Sequence, residues 1–318
     1  QGFDVGEVPG ACFCCKFDDL VETIGVLAED HRPEIVLTEP VGSCTDLMAT
    51  VIRPLSQLYA EQFAVGPLVV FCKPEHGEKI LTEGRSGFSP QAAYIFRKQL
   101  EEADAIVLNK IDKLSADQRQ QLLRLLSEQF PEKTILAASA LTGAGIDAVI
   151  ETLESETQRT ELSMEVDYDV YAAGEAEMGW LNATVRLDVS DPRLPAWPMD
   201  EVAKDLTERC RAGLLEGDAE PGHVKVLASA PLRDGGLATT VVNWVASDAP
   251  VEISVASRAT VQATDLLVNA RVAGPPETVA KVVTEAAQQT AAARGLRCQI
   301  TDVQQFRPAR PEPTHRVG

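Results

Sequence analysis

The stretch AIVLNKID, residues 105–112, decides how the first half of this chain is read. Four apolar residues set between Asp104 and Asn109 have the length and branching of a buried strand, and polar turn-forming residues follow at once. Runs of the same kind recur on either side, as EIVLT (34–38), PLVVFC (67–72) and TILAAS (134–139). Helical patterns separate them. Asp19 to Glu22 predicts a capping box, with Leu20, Ile24 and Leu27 on one face. A helix from about Thr45 carries Leu47, Val51, Leu55 and Leu58, with Pro54 expected to bend it. Ser89-Pro90 opens a helix to about Glu102, and further helices are expected over Ser115–Gln129 and Gly145–Leu153. Strands spaced by single helices imply right-handed crossovers and a parallel sheet. Ligands in such folds sit at the carboxyl ends of the strands.

The pattern changes after ESETQRTELS (154–163). WLNATVRLDV (180–189) reads as a strand, Met199–Leu215 as a helix, and HVKVLAS (223–229) and LATTVVNWV (237–245) as strands. DLLVNARV (265–272) is strand-like, Glu277–Ala293 helical, and RCQITDV (297–303) a last strand. The order β-α-β-β-(β)-α-β suggests a ferredoxin-like α+β domain. The expected organisation is therefore an α/β domain over residues 1–156, a linker over 157–166, a smaller α+β domain over 167–306 and a disordered proline-rich tail over 307–318.

Composition narrows the class. Among 318 residues, 48 acidic against 29 basic give a net charge of −19, which argues against nucleic acid or an anionic membrane as partner. No run of about 18 apolar residues marks a membrane span. Seven cysteines without a secretory signal point to free thiols in a reducing cytoplasm.

Four segments carry chemistry. In NKID, the Asp112 carboxylate can accept from both the ring N–H and the exocyclic amine of guanine, a donor pair that adenine lacks. Asn109 can bond the imidazole edge of the base, and the stem of Lys110 can cover its face. The structural alternative is an Asx-type turn between strand and helix. SALTGAG (139–145) follows the next strand, and its backbone N–H groups, that of Ala140 among them, can reach the same base while Ser139 fixes the loop. TEPVG (38–42) ends the run EIVLT. An acid at a strand tip, Glu39, suits Mg²⁺ or an attacking water, and Gly42 lets the backbone approach a terminal phosphate. The alternative is that Glu39 helps to cap the next helix.

The fourth segment is ACFCCKFDDL (11–20). Cys12, Cys14 and Cys15 cannot share one face of a strand or helix, so all three converge only in an irregular turn. A helix opening near Asp19 would lower their pKa values and favour thiolates. Three thiolates suit Zn²⁺ or a similar divalent ion and leave a fourth position open. Buried inert cysteines or a redox pair are the competing readings. Cys44, Cys72, Cys210 and Cys298 are expected in the core, and His76 in a solvent-facing loop.

CxCC before a helix, ExxG after a strand, NKxD after a later strand and SALTG after the next together resemble the CobW-like GTP-binding metallochaperones. The resemblance covers nearly all of residues 1–156. It implies a P-loop-type GTPase domain followed by a smaller α+β domain. It further implies metal (zinc or cobalt) at Cys12, Cys14 and Cys15, Mg²⁺ and γ-phosphate near Glu39 and Gly42, and guanine held by Asn109, Lys110 and Asp112. Family members begin with a strand and a GxxxxGK[ST] phosphate loop that this sequence lacks, and truncation is the simplest explanation. On that reading the intact protein hydrolyses GTP, the chain as given does so negligibly, and the metal passes to a client metalloprotein, with a corrinoid pathway suggested by analogy alone. The alternatives are a metal buffer or sensor without GTPase activity, and a thiol redox enzyme.

Overall fold

A computed structural model describes residues 4–8, 11–82, 89–155, 164–191, 193–217, 219–232 and 235–317. The chain divides into two compact units, Gln1–Gly174 with Arg310–Gly318, and Glu175–Ala309.

The first unit opens with α1 (Phe17–His31). This helix starts two residues before the expected capping box. Lys16 occupies the N-cap without a side-chain cap, and the backbone oxygen of Asp19 instead accepts from the Thr23 hydroxyl. A π-helical turn (Met48–Ile52) runs directly into α2 (Arg53–Leu58), with Pro54 in its first turn. The expected break at Pro54 is thus a change of helical pitch just before it, where the missing proline N–H costs nothing.

The sheet of this unit has three strands, β1 (Val69–Cys72), β2 (Ala105–Leu108) and β3 (Thr134–Ala137), in that order and parallel throughout. The connecting segments hold α3 (Pro74–Leu81), α4 (Pro90–Glu102) and α5 (Ala116–Gln129), and α6 (Ile146–Leu153) follows β3. Ser89 caps α4 by accepting from Ala92, and Ser115 forms a full capping box with Gln118. All four residues of β2 are buried because both faces of the sheet are covered. One face carries Ile106 and Leu108 with Leu100, Leu122 and Leu126; the other carries Val107 with Ala138 and Val149.

EIVLT does not form the expected strand. Residues 32–46 are irregular, with Ile35 59% and Leu37 76% exposed, and none of the described residues pairs with them. A strand is stable only with a neighbour for its N–H and C=O groups, and this run has none. Val36 alone turns inward, onto the cluster formed by α1 and the π-helical segment.

The boundary between units also differs from expectation. α7 (Tyr168–Ala176) lies almost wholly in the first unit, where Tyr171 is fully buried and accepts from Thr45 N–H. The proline-rich tail is ordered against the same unit. Arg310 pairs with Asp169 and Arg316 with Asp46. Val317 N–H donates to Ala49 O, and Val317 O accepts from the Arg53 guanidinium. Proline excludes helix and strand from the tail but leaves alternate carbonyls and N–H groups able to dock it.

The second unit contains β4 (Met178–Val189), β5 (Trp197–Pro198), α8 (Met199–Leu215), β6 (Pro221–Pro231), β7 (Leu237–Trp244), β8 (Glu252–Val255), β9 (Thr260–Val261), β10 (Ala263–Ala273), α9 (Pro276–Arg294) and β11 (Leu296–Phe306). Its main sheet runs β11-β4-β10-β6-β7-β8, antiparallel throughout. The first four positions are the ferredoxin-like arrangement, and β7 and β8 extend it by two strands. Side chains alternate strictly inward and outward along β4 and β10, and the inward rows pack under α8 and α9. No helix among the described residues is long and apolar enough to cross a membrane.

Candidate functional site

Cys12, Cys14 and Cys15 occupy the turn that feeds α1, held by backbone bonds from Cys15 and Lys16 to the Cys12 carbonyl. The turn brings together sulfurs that regular structure would separate. Cys12 and Cys14 lie 2.9 Å apart, Cys14 and Cys15 3.6 Å, and Cys12 and Cys15 3.8 Å. All are free thiols. Ligands about 2.3 Å from a tetrahedral zinc ion stand about 3.8 Å from one another. Two of the three separations already meet that value, and the third needs an opening of under an ångström. The donor set therefore fits a zinc-like ion, and no other such cluster of His, Cys, Asp or Glu occurs among the described residues.

The thiols do not ionise alike, as the helix-terminus argument had expected. Hydrogen bonds donated by Cys14 and then Cys44 hold Cys12 far below the ordinary thiol range. Cys14 is pushed up because it gives its proton to Cys12 and because it is buried, at 1% exposure. Burial raises Cys15, with the Cys12 charge adding to it, while the Glu312 backbone N–H opposes the rise. A cation held by these sulfurs would displace thiol protons.

Cys44 lies in the core, as expected, and also beside the cysteine turn. It is buried, belongs to the same cluster as Cys14, Phe17 and Leu47, and its thiol bonds Cys12. The available signal for that pairing was its place in the polar turn GSCTD, two residues after Gly42 and outside any helical period.

The guanine-directed residues lie at the carboxyl ends of β2 and β3. Asn109 N–H bonds Cys72 O and Ile111 N–H bonds Ala138 O, so the NKID loop is tied to both neighbouring strands. Asn109 Oδ1 accepts from Lys110 N at 2.8 Å and from Ala140 N at 3.1 Å. Ser139, fully buried, donates to Asp112 Oδ1 at 2.5 Å and accepts from Thr142 N. NKID and SALTG thus form one bonded unit. Lys110 has φ 58°, which turns the chain sharply and leaves Asp112 on a short 3₁₀ turn (Ile111–Lys113). Gly145 sits at φ 73°, where a Cβ would lie 2.2 Å from Ala137 O, so glycine is required to close the loop onto β3.

Glu39 and Gly42 lie in the irregular segment. Glu39 is exposed, and Gly42 O accepts from Gln99 Nε2 at 2.9 Å, which also bonds Cys44 O. No hydrogen bond among the described residues joins either to Asn109, Lys110, Asp112, Ser139 or Ala140; the segment joins the cysteine cluster through Cys44 instead. The side chain of His76 lies outside the described set. A cavity of about 400 Å³ opens beside Glu102, Phe130 and Asp46 and is lined by none of the residues singled out from sequence.

Against known proteins, residues 1–137 match the family model described as CobW/HypB/UreG, nucleotide-binding domain. The match takes in 137 of the 318 residues. Among solved structures, the chain is similar to the Zn(II)-bound YjiA GTPase from E. coli, at 12% identity and a TM-score of 0.22, over 74% of this chain and 66% of that one. It is also similar to a Zn(II)-bound triple mutant of YjiA GTPase, at 11% identity and a TM-score of 0.26, over 85% of this chain and 76% of that one. The chain thus spans just under two thirds of the first of these. Within the CobW/HypB/UreG nucleotide-binding domain, the matched residues take in the cysteine turn, the Glu39–Gly42 segment and NKID, and stop two residues before Ser139.

Proposed function

We propose that this protein is a GTP-hydrolysing metallochaperone, binding a divalent metal, zinc or cobalt, at Cys12, Cys14 and Cys15 and delivering it to a client metalloprotein. The metal is cargo. Asn109, Lys110 and Asp112 hold guanine, with the Ser139 and Ala140 loop beside them. Gly42 meets the terminal phosphate, and Glu39 orients the attacking water or a water on Mg²⁺, which would neutralise developing phosphate charge. The observation that carries the reading is the coexistence, in one unit of a nucleotide-binding family, of three convergent sulfurs and the bonded NKID–SALTG pair. Nucleotide state and metal affinity would then be linked reciprocally.

Metal analysis of the full-length protein, with binding of a fluorescent GTP analogue and GTP turnover, tests this. The expected result is about one zinc or cobalt per chain, guanine binding and slow hydrolysis. A protein that binds neither metal nor nucleotide sinks it.

One observation favours a second reading. Glu39 is exposed in a segment without strand pairing, bonded to none of the guanine-directed residues. A metal buffer or sensor that does not hydrolyse GTP would look the same. Metal binding with no turnover, unchanged in Glu39→Gln, selects that reading.

A further inference from the structure

The three-cysteine turn leaves one corner of a tetrahedral site unassigned, and the surroundings of the turn limit what can fill it. Lys16 beside it is cationic and paired with Asp19. Phe17 and Leu20 are apolar. The tail that crosses the turn offers backbone N–H groups, from Thr314 to Cys14 O and from Glu312 to the Cys15 sulfur, which donate and cannot ligate, and the Glu312 carboxylate and His315 imidazole do not join the group of three sulfurs. Cys44 alone brings a further sulfur, 4% exposed, in the same core cluster as Cys14 and hydrogen-bonded to Cys12.

We propose that Cys44 is the fourth ligand, so that the ion is enclosed by four thiolates from two segments of chain. This rests on the metal site of the proposed function and deepens it. The sulfur of Cys44 is not within 4.8 Å of all three others, so it must move toward them to ligate. A change of staggered rotamer about Cα–Cβ moves a cysteine sulfur by about 3 Å. The backbone is already held, by Cys44 N–H to Val41 O at 2.8 Å and by Gln99 to the carbonyls of Gly42 and Cys44.

The chemistry favours this closure. In water-poor surroundings a thiol that ligates exchanges a weak S–H bond for a metal–sulfur bond and releases its proton to solvent. Four thiolates on a divalent ion leave two negative charges, which the Lys16 ammonium, the α1 N-terminus and the tail N–H groups offset. The consequence concerns coupling. Gly42 is two residues from Cys44, so an ion bound by both segments restrains the loop assigned to the terminal phosphate. Metal occupancy and the position of Gly42 become one equilibrium, with no longer-range relay required.

X-ray absorption at the zinc edge, on the zinc-loaded full-length protein, counts the sulfurs directly. The expected shell is four sulfurs in the unsubstituted protein and three sulfurs with one lighter atom in Cys44→Ser. Cobalt(II) substitution should show the thiolate charge-transfer band falling by about a quarter in that variant, with tetrahedral coordination kept. Cys210→Ser, which removes a core thiol of the second unit, should change neither. Three sulfurs and a lighter atom in the unsubstituted protein, unaltered by Cys44→Ser, would overturn the assignment of Cys44 and leave the three-cysteine site standing. A protein that takes up neither ion overturns both. If Cys44→Ser folds poorly, the shell of the unsubstituted protein decides by itself.

Discussion

At the scale of single residues, the two halves of the site make separable demands. Cys14 is the most enclosed of the three sulfurs, and its replacement by serine exchanges a soft thiolate for a hard, weakly acidic hydroxyl. Cys14→Ser is expected to weaken zinc binding by at least about tenfold in competition with a chelator; an unchanged titration counts against the site. The proposed base pocket rests on Asp112, whose one carboxylate oxygen is engaged by Ser139 while the other is left to a ligand. Inosine triphosphate lacks only the exocyclic amine. It should bind about ten- to a hundredfold more weakly than GTP, the value of one hydrogen bond to a charged group, and Asp112→Ala should abolish that preference. Equal affinities for the two nucleotides would remove Asp112 from the pocket. These residues were legible in the sequence because their spacing fixes chemistry and location together. The place of Cys44 beside the cysteine turn was not, because a lone cysteine in a loop looks like any small apolar residue until the chain returns it to a partner thirty residues upstream.

At the scale of elements, sequence periodicity located those helices and strands that find neighbours. α8 spans the expected Met199–Leu215, and β2 and β3 lie inside AIVLN and TILAAS. The run EIVLT had the same apolar content but lacks a partner, and strand formation depends on pairing that no local pattern encodes. Nor does local pattern show where a buried charge sits. Glu102, at the end of α4, accepts from the Thr45 hydroxyl and Met48 N–H across the start of the π-helical turn, each at 3.1 Å. Burial raises its pKa from 4.5 to about 7. The folded chain thus holds a proton that the unfolded chain releases between those values. The stability this contributes is full below about pH 4.5 and declines until about pH 7, by roughly 3 kcal/mol in all. Glu102→Gln keeps a neutral acceptor and removes the titration. Its melting temperature should exceed that of the unsubstituted protein at pH 8 and match it near pH 5. A constant difference across that range would show that Glu102 does not carry the proton.

At the scale of the molecule, the chain leaves the first unit, builds the second, and returns. Composition marked residues 307–318 as a disordered proline-rich tail, but residues 307–317, without helix or strand, are anchored by charge and backbone bonds. Its anchor is Arg316, whose Nε donates at 2.8 Å to Asp46 Oδ2, an atom that also accepts from the Tyr168 hydroxyl at 2.7 Å. Asp46 is 1% exposed, so without Arg316 it is a buried carboxylate that no other cation among the described residues pairs. Losing one partner of a fully buried pair costs about 3–5 kcal/mol. Arg316 is 40% exposed, and solvent screening reduces the expected loss to about 1–3 kcal/mol for Arg316→Ala. The same segment lays Glu312 and Thr314 over the cysteine turn and the His315 ring edge-on to Phe17 at 4.9 Å. Loosening the anchor should therefore also speed maleimide labelling of Cys15 in metal-free protein, whereas Arg316→Lys, which keeps the charge, should restore part of both effects. If Arg316→Ala melts and labels as the unsubstituted protein does, the tail neither neutralises Asp46 nor covers the thiols.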